Sequence, residues 1–112
     1  MAEISVVPES EFAQTVLDST APVVVDFFSK TCGPCKLLEA ALKDVAPDYD
    51  GEIKVVKVDV EESPAVARQY SIQSVPTMLL FRKGQLTQRV LGNQTRSKLA
   101  ELFDAHVSEQ QG

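Results

Sequence analysis

The chain has no tryptophan, one histidine (His106) and only two cysteines among its 112 residues. It also has no repeat, no low-complexity tract, no Gly/Ser linker and no apolar run of membrane-spanning length. Each absence excludes something. A chain of this length buries a core without disulfide staples, so the cysteines are not needed merely to keep it folded. Without a linker or repeat, one domain over residues 1–112 is expected, and without a long apolar run no membrane helix is expected. A zinc site normally takes four ligands, and two cysteines with a lone histidine fall short within one chain. The net charge is -5, with acids and bases interspersed, so no basic face is set aside for nucleic acid or an anionic membrane. Residues Met1–Val7 carry Glu3 and no basic segment followed by an apolar one, so a reducing, cytoplasmic setting is expected. In that setting a thiol pair is more often catalytic or metal-binding than a permanent crosslink.

What is present alternates between strand-like and helix-like stretches. Ile4–Val7 reads as a short strand, and Glu9–Ser19 as a helix with Phe12, Ala13, Val16 and Leu17 on one face and acids in its first turn. Val23–Phe28 reads as a strand buried on both faces. Pro34–Asp48 reads as a helix with Leu38, Ala41, Leu42 and Val45 inward, Glu39 and Lys43 paired outside, and Pro47 at its end. Ile53–Val60 is another buried strand, and Ser63-Pro64 has the form of an N-cap and first-turn proline opening a helix to about Tyr70. Thr77–Arg82 and Leu86–Leu91 are joined across Lys83-Gly84, too short a link for a parallel crossover, so they form an antiparallel hairpin. Thr95–Val107 closes the chain as a helix. The order βαβαβαββα predicts a three-layer α/β domain: a central mixed sheet, parallel strands plus an antiparallel edge hairpin, flanked by four helices.

Both cysteines lie in Phe27-Phe28-Ser29-Lys30-Thr31-Cys32-Gly33-Pro34-Cys35-Lys36, between a strand and a helix. Sulfur nucleophiles act as thiolates, and a helix N-terminus stabilises negative charge through its free N–H groups. If Cys32 is the N-cap, Pro34 has no N–H to give and the next donor is the amide of Cys35 itself. Lys36 adds a positive charge of the same sense. Cys35, one turn along and pointing inward, is expected to be the less exposed sulfur and the one that resolves a mixed disulfide formed at Cys32. Half of a metal site, completed by a second chain, is the competing reading of the same spacing.

Two charges interrupt apolar strands: Asp26 in Val23–Phe28 and Lys57 in Ile53–Val60. Charges inside buried strands are costly unless paired, so each is a candidate partner for the other. An ion pair without a task explains them equally well. The position of Asp26 on the strand leading into the cysteines points to a further role, a buried carboxylate accepting the proton of Cys35.

From Ile4 to Val107 the sequence resembles the thioredoxin family. The resemblance rests on Val25-Asp26-Phe27, Cys32-Gly33-Pro34-Cys35-Lys36, Val55–Asp59 with Lys57, Tyr70, Val75-Pro76-Thr77, Gly84 and Gly92, in the family's order and spacing. It implies a redox-active Cys32–Cys35 pair, and Pro76 as a cis proline against the sulfurs. It implies a flat substrate face made by Gly33, Pro34, Val75, Pro76 and Gly92, with a client segment hydrogen-bonded near Val75. It further implies a monomeric, redox-active electron carrier with protein-disulfide reductase activity and no bound cofactor. Its partners would be disulfide-containing clients and a thioredoxin reductase, NADPH-dependent or ferredoxin-linked. A redox-independent binding module on the same fold, or a subunit of a larger complex, is the alternative. Three positions depart from the family pattern: Thr31 and Phe28 stand where tryptophans are usual, and Ala40 where a helix-kinking proline is common. Thr31 takes a large apolar surface away from beside the nucleophile, and Ala40 predicts a straighter helix.

Overall fold

The valine-rich stretches Val23–Phe28 and Lys54–Asp59, β-branched and free of glycine and proline, form adjacent inner strands of the sheet. The computed structural model describes residues 4–111, with side chains through Ser108. Its strands are β1 (Ser5–Val6), β2 (Val23–Phe28), β3 (Lys54–Asp59), β4 (Thr77–Arg82) and β5 (Gln85–Leu91). They lie in the order β1-β3-β2-β4-β5. The first three run parallel; β4 is antiparallel to β2 and β5 to β4. The regular helices are α1 (Gly33–Val45), α2 (Pro64–Gln69) and α3 (Arg96–Gln111). This is the mixed-sheet thioredoxin fold expected from the sequence. Only α1 joins neighbouring parallel strands; α2 carries the chain from β3 past β2 to the antiparallel β4.

Period-two alternation sends each strand's side chains to two separate cores. On one face, Val24, Met78 and Leu80 pack with Leu38 and Leu42 of α1 and Leu99 and Phe103 of α3. On the other, Val23, Val25, Phe27, Val58 and Phe81 pack with Phe12, Val16 and Val66. Asp26 shares its parity with Val24 and therefore faces α1. Truncating a fully buried residue such as Leu42 to alanine is expected to cost about 2–5 kcal/mol.

The segment expected as the first of four flanking helices is not a regular α-helix. It is a 3-10 turn at Glu9–Glu11 followed by a π-helical turn at Ala13–Leu17. Phe12 and Val16 are buried as expected, but Ala13 is exposed. The Glu9 carboxylate serves a distant helix, accepting from the backbone N–H groups of Ala65 and Val66 at 2.6 and 3.0 Å. It thus replaces Ser63, whose side chain makes no cap bond to α2. The second predicted helix stops three residues early: α1 ends at Val45 and a 3-10 turn, Ala46–Tyr49, follows through Pro47.

Lys83 and Gly84 both have positive φ, +52° and +80°, as a two-residue hairpin demands. Gly84 is also confined sterically, since a Cβ there would lie 2.9 Å from the Leu17 carbonyl oxygen. His106 is buried, 2% exposed, with Nε2 3.0 Å from the Phe81 carbonyl oxygen. Among the described residues no three His, Cys, Asp or Glu side chains converge as a metal site, and no helix is long and apolar enough to cross a membrane.

Candidate dithiol site

At the end of β2 the chain turns through Ser29–Thr31 into α1, and Cys32 caps that helix in an extended conformation. The backbone N–H of Cys35 donates to Cys32 Sγ at 3.1 Å, the bond predicted from the position of Pro34. Cys32 is half-buried and Cys35 is 3% exposed. The two form a disulfide with Sγ atoms 2.19 Å apart and Cα atoms 5.3 Å apart. One sulfur therefore faces outward beside free helix N–H groups while its partner sits in the protein. That asymmetry separates an attacking role from a resolving one.

A second stretch closes over the pair. The Val75–Pro76 peptide bond is cis, and Cys32 Sγ lies 3.8 Å from the Val75 carbonyl oxygen. Thr77 Oγ1 donates to the Ser74 carbonyl at 2.8 Å, fixing the bend from the strand side. Gly92, at φ +81°, gives its N–H to the Pro76 carbonyl at 2.9 Å, which ties the end of β5 to the same loop. Thr31, Gly33 and Pro34 are exposed on the helix side. The residues expected to form a substrate face thus come from three separate segments of the chain, linked by the Cys32–Val75 and Gly92–Pro76 contacts.

The strand that leads into the cysteines carries a buried charge. Asp26 is 1% exposed, and Oδ1 has no hydrogen-bond partner among the described residues. Burial, reinforced by the negative charge of Glu39 and only partly opposed by Lys57, pushes its carboxyl up to about 7. The expected Asp26–Lys57 pair is corrected by the structure. The residues are neighbours in register across β2 and β3, but the Lys57 ammonium hydrogen-bonds to Glu39 Oε2 on α1. It also stands 5.1 Å from the Phe28 ring centroid. Glu39, held below the usual carboxylate range mainly by its hydrogen bond from Lys57, meets Lys43 too, at 3.7 Å. A helix carboxylate outbids the strand carboxylate because it is the better solvated of the two and stays ionised. A cleft of about 170 Å³ brings Glu39 beside Cys35, together with Phe28, Ser29, Lys30 and Lys36. Glu39 was legible only as a surface partner for Lys43; its place four residues after Cys35, on the helix overlying the Lys57 strand, was the available signal.

The arrangement is that of a dithiol–disulfide exchange centre on an α/β sheet: an amide-capped outer sulfur, a buried inner sulfur, and a carboxyl of raised proton affinity on the adjoining strand. The sequence profile described as Thioredoxin matches residues 3–105. "Thioredoxin 1" of Nostoc sp. is 41% identical over 96% of this chain and 100% of its own length. "Thioredoxin 1" of Synechococcus elongatus is 39% identical over 96% and 100%. "Thioredoxin M-type, chloroplastic" of Spinacia oleracea is 37% identical over 95% of this chain and 59% of its own. The chain belongs to the thioredoxin family.

Proposed function

We propose that the protein reduces disulfides in client proteins, with Cys32 as nucleophile and Cys35 as resolving thiol. The Cys32 thiolate attacks one client sulfur, forming a mixed disulfide and releasing the other client sulfur as a thiolate that takes up a proton. Cys35 then gives its proton to a base and attacks Cys32 Sγ. The second client sulfur leaves as a thiolate and is protonated. The client gains two electrons and two protons, and Cys32–Cys35 is left as the disulfide. A thioredoxin reductase, supplying two electrons, returns it to the dithiol. In this reading Asp26 is the base for Cys35, with Lys57 as its neighbouring charge. Thr31, Gly33, Pro34, Val75, Pro76 and Gly92 form the face on which an extended client segment lies. The working compartment is the cytoplasm, and the protein acts as a monomer.

The observation that carries this reading is the Cys35 N–H donated to the half-buried Cys32 sulfur, because it stabilises a thiolate on one cysteine and not on the other. Insulin reduction driven by dithiothreitol tests the activity. Trapping tests the roles: Cys35→Ser is expected to accumulate mixed disulfides with clients, and Cys32→Ser almost none. Equal trapping by both variants would overturn the assignment. Absence of insulin reduction by the parent protein would favour a binding module that does not use its thiols.

A further inference from the structure

We propose that Glu39 is a positioning residue of the exchange reaction: by its own negative charge and by holding the Lys57 ammonium on the α1 side, it leaves Asp26 without a directly bonded cation and so keeps that carboxylate a stronger acceptor for the Cys35 proton. The inference rests on the reading of Asp26 as the base, and it assigns control of that base to a residue on another element.

The geometry offers Lys57 two carboxylates. Asp26 is opposite it in the strand register, and Glu39 reaches over from the helix. Only one receives the ammonium, and the other keeps an oxygen with no partner among the described residues. The remaining groups facing Asp26 do not compensate. β4 places Met78 opposite it, α3 contributes Leu99 and Phe103 to the same face, and α1 adds Leu38 and Leu42. The charges that act on Asp26 are thus Lys57 from β3 and Glu39 from α1, with Lys43 meeting Glu39; Tyr49 packs against the same core and hydrogen-bonds to α3. A base acts best when its proton affinity lies near the working pH, and a carboxylate bonded to a lysine falls well below that range. Glu39 keeps Asp26 out of that state. Because Glu39 also lines the cleft beside Cys35, one helical turn fixes the buried sulfur and the group that tunes its base.

Glu39→Gln removes the charge, keeps the shape and frees Lys57 to turn to Asp26. Two measurements on the full chain test the proposal: titration of the Asp26 carboxyl by NMR, and the pH profile of single-turnover disulfide reduction. In Glu39→Gln the Asp26 midpoint is expected to fall by about one pH unit, the size of effect a cation brought into contact produces, and the acid limb of the profile should move with it. The Glu39→Asp variant, which restores the charge, should recover part of the shift. In an Asp26→Asn background Glu39→Gln should move nothing. An Asp26 midpoint that stays put or rises in Glu39→Gln overturns the proposal, as does a slower reaction with an unmoved pH profile. If Asp26→Asn alone leaves the parental acid limb intact, the base assignment falls and this proposal falls with it. A limb lost in Asp26→Asn but unmoved in Glu39→Gln removes only the role of Glu39.

Discussion

Replacing Asp26 by asparagine takes an ionisable group out of the sheet while keeping its size, and the effect on stability can be worked from its surroundings. The carboxyl is pushed up from 3.8 to about 7, with burial the largest cause. Between those two pH values the folded protein holds a proton at Asp26 that the unfolded chain has already lost. Proton linkage then requires the parent to lose stability as pH rises through that window, with a flat contribution above it. At about 1.4 kcal/mol per pH unit, three units amount to about 4 kcal/mol. Asparagine does not titrate, so the stability of Asp26→Asn relative to the parent should grow by about that amount from pH 4 to pH 8. Other carboxylates, Glu39 among them, titrate in both proteins and largely cancel in the difference. Urea unfolding of the two disulfide forms across this range measures it. With m of about 1–3 kcal/mol/M, the difference between midpoints should widen by more than about 1 M. The offset at pH 4 can take either sign, because asparagine brings its own hydrogen-bonding needs; the slope carries the test. A difference that is constant with pH, or that shrinks as pH rises, would refute a buried carboxyl of raised proton affinity.

Thr31→Trp should improve insulin reduction mainly through apparent affinity, because an aromatic side chain adds contact area beside Cys32, and should leave exchange with small disulfides nearly unchanged. Equal acceleration of both reactions would mean that the residue tunes the sulfur rather than the docking face. Gly84→Ala should destabilise the fold by about 1–3 kcal/mol in urea unfolding, since the new Cβ meets the Leu17 carbonyl oxygen at 2.9 Å on a residue with φ of +80°. A loss below about 0.5 kcal/mol would show that the turn relaxes freely.

The sheet and the dithiol were readable because each is encoded locally. Valine runs give strands, a two-residue Lys-Gly link forces a hairpin, and Cys-Gly-Pro-Cys after a strand places one sulfur at a cap and the other one turn inside. Even the donor to Cys32 followed from proline's missing N–H. What failed to show was long-range competition between polar groups. Ser63 has a good N-cap side chain, yet the carboxylate of Glu9, remote in sequence, takes the helix N–H groups. Lys57 and Asp26 sit opposite one another, yet a helix carboxylate wins the lysine. The irregular turns at 9–17 fail for a related reason: burying Phe12 and Val16 over the sheet counted for more than α-helical regularity in a short segment with little propensity to enforce it. The approach of Val75 to Cys32 was legible only through family resemblance, since Val75-Pro76 carries no local mark of standing beside a sulfur.

The hydrogen bond from the Cys35 amide to Cys32 has a consequence for mutational tolerance. The donor belongs to the main chain, so every residue except proline supplies it at position 35. Losing the second thiol therefore leaves the first one still capped. Under the proposed assignment of roles, a chain carrying serine or alanine there retains the means to attack a disulfide and loses only the means to let go. In the proposed reaction a small residue at this buried position thus turns a turnover protein into a covalent captor of its own partners, a gain of binding reached by losing one sulfur atom.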